Sequence, residues 1–528
     1  MNRETLDQAP NQPTPQKGGI YAAAAALFLS ATLVPWLSVH LFSPNIWFDE
    51  SGQYWLSLGL HHFTPPLSTP GGWEKIIEYG RVQNSDPGTY TLILRAWIIL
   101  FGSDLAALRT LSLIFFLLGP LIIWLAGRRL EISPAARAFA ALAPCGYFMF
   151  LHYATEIRAY SMESLAVWYF FFLSAWTDRE ERNSRLVILG LIGALLVGAR
   201  YSAYIYGGAA CLVLCISWRP LGLLVKRGLL VAAPVTALVT AGFITFGRHQ
   251  AGGTQRAPSY VEPFLLQGKE SDFILQQVKQ NFLVHEAWPL TAFLLLAPVW
   301  ISLTRVELTR FHTFVMRAWL FVVIAVIFVI GASVLGKLPW AIYTRWSIGY
   351  QALSASCLAT LIMMTAASWR TFAPARLRKR VGAVAFVIAL VFWWWHVHQV
   401  QKQPRPYYET EGSMLEQLAR RNDKAELRFW VTGFASASIR YLCEVGPLKG
   451  QFTYPSNFHF ETPNELKDST AIAVDSVDVV ILHDQSLLPA YQSRITGSDK
   501  KPLSSTIVLP PPSALILLKS QEVAATAP

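Results

Sequence analysis

A chain of 528 residues that is 53% hydrophobic and only 15% charged, with 19 tryptophans and a mean hydropathy of +0.36, is too apolar for a soluble enzyme of its size and fits a polytopic membrane protein. The formal charge of +11 does not point to nucleic acid, because Lys and Arg sit in short clusters between apolar runs, where they orient a membrane protein. The five cysteines, Cys145, Cys211, Cys215, Cys357 and Cys443, form no pairable framework, so neither a disulfide nor a Cys-based zinc site follows.

In chain order, residues 1–19 are polar and Pro-rich and read as a disordered cytoplasmic tail. The apolar run after them has no cleavage site and is long enough to stay as a helix. A span needs roughly 20 apolar residues. Eleven are predicted, near 20–42, 106–127, 134–151, 159–176, 185–198, 201–217, 228–247, 288–304, 315–336, 341–366 and 381–398. With the first running outward, the basic connections at 128–129, 179–185, 219–227, 305–317 and 370–380 all face the cytoplasm. The short connections on the other side hold only Arg158, Arg200 and Lys337. The segment 89–101 (TYTLILRAWIILF) is too short to span, carries Arg95, and would invert every later loop; it reads as an interfacial helix on the outer face.

The transmembrane domain is thus expected over 20–398, with an outer loop at 43–105 containing interfacial helices and a second outer loop at 248–287 long enough to act as a lid. Residues 399–528 read as a small α/β domain outside the membrane, with apolar runs at 429–432, 477–482 and 514–518. The run 475–484 (DSVDVVILHD) has the β-branched density of a buried parallel strand. His483-Asp484 reads as its solvated end.

Three outward-facing places concentrate polar groups. Asp49-Glu50 follows the first span and precedes Tyr54-Trp55 in a helical pattern; the plainer reading is a pair of acids at a helix N-terminus. Asp86-Pro87-Gly88 is a turn opening the interfacial helix, and Asp86 matters because it shares the outer loop with Asp49. The stretch 152–163 (HYATEIRAYSME) places Glu156, Tyr160 and Glu163 on one face if it is a single helix, with Glu163 inside the membrane, where acids are expensive unless they have a role. The plainer reading is an interfacial Glu156/Arg158 pair with Tyr160 in the aromatic belt. Arg200-Tyr201-Ser202-Ala203-Tyr204, between two short spans, suggests a cavity wall, and interfacial anchoring is the other reading.

Together these motifs, with Leu100-Phe101-Gly102-Ser103 and Arg109 opening the second span, resemble the C-type membrane glycosyltransferases, in the branch of protein O-mannosyltransferase-like and aminoarabinose-transferase-like bacterial enzymes. The resemblance covers roughly residues 20–370. It implies transfer of a sugar from a polyprenyl-phosphate carrier to a lipid, polysaccharide or protein acceptor, usually with inversion, in a bacterial inner membrane with the site on the periplasmic side. It marks Asp49 as catalytic with Glu50 beside it, Arg158 as the arginine of the second polar loop, and Arg345, in Tyr343-Thr344-Arg345-Trp346, as a donor-phosphate residue. Many relatives carry His or Lys before Pro-Pro where this chain has Asp86-Pro87-Gly88, which leaves Asp86 without a carried-over role.

That chemistry needs cations at the phosphate, which Arg158, Arg200 and Arg345 can supply in bidentate form, and a base aligned opposite the leaving group, for which Asp49 is the choice. Asp49 and Glu156 are oxygen ligands available to a divalent ion, but no fixed spacing demands a metal or another cofactor; His61 and His62 read as plain loop residues. Two other classes compete. A lipid or sugar transporter would also be multi-span, but its acids would sit near the midplane between repeats, and here they cluster on one face without a repeat. A sensor or scaffold would need no reactive acids.

Overall fold

The computed structural model describes residues 41–43, 46, 48–61, 64–83, 86–176, 183–217, 235, 266, 268–283, 287–304, 310–338, 340, 348–372, 391, 415, 418–420, 426–432, 435–461, 465, 471–473, 477–482, 491, 493–496, 506–508 and 514–517. Apart from residues 41–42, 235 and 391, the expected spans at 20–42, 228–247 and 381–398 lie outside the described residues, as do most of the loop 248–287, His62 and Arg345.

The stretch 43–105, expected as an outer loop, builds three helices: α1 (Phe48–Ser57), α2 (Trp73–Gln83) and α3 (Thr89–Phe101). The third has the bounds expected from the sequence. It starts behind Gly88, whose φ of 91° suits the turn made by Asp86-Pro87-Gly88, and ends at Gly102 (φ 85°). Asp104 then caps α4 (Leu105–Arg129) by accepting from the N–H groups of Ala106 and Ala107.

The expected span at 134–151 is not continuous. It divides into α5 (Pro134–Leu142), a 3₁₀ turn at Ala143–Gly146 and α6 (Phe148–Tyr153). Pro144, which has no N–H to donate, and Gly146 break the ladder there. A turn at 154–159 leads into α7 (Tyr160–Phe172), followed by α8 (Asn183–Val197), α9 (Tyr201–Ser217), α10 (Ser271–Leu283), α11 (Trp288–Leu303), α12 (Arg310–Val334) and α13 (Ile348–Phe372).

Among the described residues three helices are long and apolar enough to cross a membrane, namely Leu105–Arg129, Arg310–Val334 and Ile348–Ser368. A fourth crossing is available as the pair α10 and α11, bent by 74°. Shorter apolar helices at Thr89–Phe101, Ser184–Val197 and Tyr201–Ile216 accompany them.

Helix α7 is the hub of the bundle. All thirteen of its residues are buried, and it packs against α4, α9 and α13, which explains why its apolar residues do not keep to one face. Against α4, a Cβ on Gly119 would fall 1.9 Å from Trp168 Cε3. Only a residue without a side chain lets that indole lie there.

The C-terminal region carries a five-stranded mixed sheet. Its edge-to-edge order is Phe458–Phe460, Phe429–Val431, Val479–Leu482, Ala514–Leu517, Thr506–Val508. The expected strand in 475–484 is central and wholly buried, as its unbroken apolar run requires. It is parallel to Phe429–Val431 on one side and antiparallel to Ala514–Leu517 on the other. Helix α14 (Ser436–Glu444) follows the strand Phe429–Val431 and packs against α1, tying this region to the helix that carries Asp49 and Glu50.

Candidate active site

The site is assembled where α1, the turn 154–159, the start of α7, the turn before α3 and the start of α9 meet. Asp49 and Glu50 lie in the first turn of α1, where carboxylates oppose the positive end of the helix dipole. They have different surroundings. Glu50 is fully buried and takes a bidentate bond from Arg109, with Nε at 3.2 Å and Nη2 at 2.9 Å. The Ile157 N–H donates to the same carboxylate at 3.1 Å, while Arg109 Nη1 donates to the Ser43 carbonyl at 2.7 Å. Glu50 thus braces α1 against α4 and the 154–159 turn. Asp49 remains half-buried, and it is the foremost anionic neighbour of the Arg158 guanidinium.

The second cluster centres on Arg200, which directly precedes α9. Its Nε donates to Asp86 Oδ1 at 3.1 Å and its Nη1 to Glu163 Oε2 at 2.8 Å. Ser202 Oγ donates to the other oxygen of Glu163. Gly349 lets α13 approach this carboxylate, since a Cβ there would fall 2.8 Å from Glu163 Oε1.

Between the clusters stands Tyr160. The Arg158 guanidinium carbon is 5.8 Å and that of Arg200 4.9 Å from the Tyr160 ring centroid, so one ring has two cations beside it. Arg158 also donates to Gln53 Oε1 at 3.4 Å, and Gln53 donates to Thr91 Oγ1 at 2.7 Å. Burial disfavours the charged form of both guanidiniums. Asp49, Tyr160, Asp86 and Glu156 around Arg158, and Glu163, Asp86 and Tyr160 around Arg200, outweigh it and hold both above the ordinary arginine range. Arg158 in turn repels Arg200. A phosphate between two such cations would relieve that repulsion.

The structure therefore brings Asp49, Glu50, Asp86, Glu156, Arg158, Tyr160, Glu163 and Arg200 into one neighbourhood. One detail of the sequence reading changes. Glu156 is not on a common helical face with Tyr160 and Glu163, because 154–159 is a turn in which the Arg158 N–H bonds the Glu156 carbonyl at 2.7 Å, and helix α7 begins only at Tyr160. Sequence reasoning missed the site roles of Arg109, Gln53 and Ser202. The available signal for Arg109 was a charge near the start of a 25-residue apolar helix. Gln53 and Ser202 carry no comparable mark. Among the described residues, no three His, Cys, Asp or Glu side chains converge as a metal-binding set.

No protein-family model and no curated protein matches the chain. Among solved structures, it is similar to ArnT from Cupriavidus metallidurans in the apo state, at 12% identity and a TM-score of 0.50, covering 95% of this chain and 98% of that one. The chain shares its fold with that ArnT structure. ArnT bound to undecaprenyl phosphate aligns at 14% identity and a TM-score of 0.49 over 96% of this chain and 99% of that one. The Archaeoglobus fulgidus oligosaccharyltransferase, in complex with Zn and sulfate, aligns at 12% identity and 0.42 over 80% of this chain and 61% of that one.

Proposed function

We propose that this chain transfers a hexosyl or pentosyl group from a polyprenyl-phosphate donor to a lipid, polysaccharide or protein acceptor on the periplasmic face of a bacterial inner membrane. The observation that carries this reading is the pairing of Arg158 and Arg200 across Tyr160 with Asp49 beside Arg158. Two cations held among buried polar side chains suit a phosphate that must leave with its charge matched, and a half-buried carboxylate next to them suits proton removal. Arg345 joins the phosphate ligands on the strength of the sequence resemblance alone.

In the proposed step the acceptor oxygen or nitrogen attacks the anomeric carbon and gives its proton to Asp49. The bond from that carbon to the phosphate oxygen breaks on the opposite face, its electrons leaving with the polyprenyl phosphate, so configuration inverts. Glu50 does not exchange protons in this scheme; its role is to fix the helix that carries Asp49. A transporter or flippase would need the arginines but no base.

The test is Asp49→Asn in the full-length chain, with lipids retained on purification identified by mass spectrometry and sugar transfer measured in membranes. Transfer should fall while the variant keeps its fold and still retains a polyprenyl-phosphate sugar. Undiminished transfer would remove Asp49 from the chemistry, and undiminished lipid translocation without any transfer would favour the transporter.

A further inference from the structure

Gln53 stands one helical turn after Asp49 on α1, so the two side chains leave the same face of that helix. It is buried, and both ends of its amide are engaged. Arg158 Nη1 donates to Oε1 at 3.4 Å, and Nε2 donates to Thr91 Oγ1 at 2.7 Å. A guanidinium has no lone pair to offer, so the amide must turn its oxygen to Arg158 and its nitrogen to the buried Thr91 hydroxyl on α3. The orientation of Gln53 is therefore fixed from two sides.

The two arginines beside Tyr160 differ in what meets their nitrogens. Arg200 directs Nε to Asp86 and Nη1 to Glu163, both carboxylates. Arg158 Nη1 meets an uncharged amide, and its buried Nε meets no acceptor among the described residues. Asp49, Asp86 and Glu156 act on Arg158 through space. A neutral acceptor at the long end of hydrogen-bond distance orients a guanidinium without cancelling its charge. A carboxylate in the same place would neutralise that charge and occupy the fork that a phosphate needs.

We infer that Gln53 is a positioning residue for the donor: it aims the Arg158 guanidinium while leaving its charge and its Nε available to a phosphate. One helix then carries both the base and the acceptor that aims the cation, so Asp49 and the leaving group are set relative to each other through α1. This role rests on the polyprenyl-phosphate reading of the site.

The experiment uses the full-length chain in detergent, with undecaprenyl phosphate as the probe and undecaprenol, the same chain without the charge, as its control. Binding of each is read by native mass spectrometry. The unaltered protein should hold the phosphate about tenfold or more tightly than the alcohol. Gln53→Glu keeps acceptors for Arg158 and for the Thr91 hydroxyl, so its thermal transition should match or exceed that of the unaltered protein. Its preference for the phosphate should nonetheless fall about tenfold. Gln53→Met, of similar length and uncharged, should lose part of the preference by releasing Arg158, with undecaprenol affinity unchanged. A glutamine that only supports the fold gives the other order, with Gln53→Glu harmless and Gln53→Met weakening both lipids alike. That order, or full preference in both variants, would overturn the positioning role and leave the donor assignment standing. An unaltered chain that does not prefer the phosphate would overturn the donor assignment and this role with it.

Discussion

The Arg440 guanidinium lies 4.3 Å from the centroid of the Trp55 ring, joining the C-terminal helix α14 to the helix that carries Asp49. The contact is part of a wider seam. Trp55 Nε1 donates to the Ala437 carbonyl at 2.9 Å, Ser51 and Ser438 share a hydrogen bond at 3.2 Å, and Tyr54 meets Tyr441 edge-on at 5.0 Å between centroids. Arg440 also donates to the Thr64 carbonyl at 2.8 Å and pairs with Glu444 at 3.2 Å. The C-terminal region is therefore a clamp on α1 and the residues that follow it.

Arg440→Ala should release that clamp. Losing a desolvated cation–π contact and leaving Glu444 without its arginine costs about 2–4 kcal/mol. In the proposed enzyme the loss should appear mainly as a lower kcat with a smaller change in the donor KM, because Asp49 is misplaced while the arginines at the phosphate are untouched. Arg440→Lys should recover part of it. Equal kcat in all three forms would show that the seam does not position α1.

Neighbouring carboxylates should behave in opposite ways. Asp49→Asn is expected to lower transfer by roughly 10²- to 10⁴-fold, the range of a positioned base, with little change in thermal stability. Glu50→Ala is expected to destabilise the fold by about 3–5 kcal/mol, since it strands Arg109 at 1% side-chain exposure. Detergent-solubilised thermal unfolding beside a transfer assay separates the two, and a stable, inactive Glu50→Ala would contradict the brace.

Arg200 holds two carboxylates and one side of Tyr160, so Arg200→Lys keeps charge but loses the fork. Donor KM should rise about tenfold or more, the equivalent of about 1.4 kcal/mol. Titration of the donor at saturating acceptor measures this; an unchanged KM with lowered kcat would move Arg200 away from the phosphate.

Gly119→Ala places a methyl 1.9 Å from Trp168 Cε3 in the middle of the bundle. Overpacking there is expected to cost about 1–3 kcal/mol. The double variant Gly119→Ala with Trp168→Phe should regain part of the loss in melting temperature, and additive losses would argue against the clash.

His61 supplies a pH dependence. Burial lowers its imidazole to about 4 from an ordinary 6.5, so between those values the unfolded chain binds more protons than the folded one. The stability linked to His61 is complete above pH 6.5 and declines as pH falls toward 4, by on the order of 1 kcal/mol once its partial exposure is allowed for. A His61→Asn variant should show a flatter melting temperature across that window.

Much of this arrangement was legible because charge in an apolar context is conspicuous. Asp49, Arg158, Glu163 and Arg200 announced themselves as charges at helix ends or inside apolar runs, and the structure draws all four together. Helix α3 was equally plain, since its turn and its closing glycine flank a short apolar run. Local periodicity does not report tertiary hydrogen bonds. The 154–159 turn is held in part by the bond from Ile157 to Glu50, 107 positions away, so 152–163 looked like one helix. The break at Pro144 was hidden because the surrounding residues are uniformly apolar. Strands such as Phe458–Phe460, only three residues long, depend on a neighbour to exist and leave little pattern to read.

The bond between Ser51 and Ser438 spans 387 positions of chain. During synthesis from the N-terminus, the acid-bearing helix therefore emerges long before its clasp. Fragments ending before residue 436 thus hold every charged group of the candidate site without the part that steadies it.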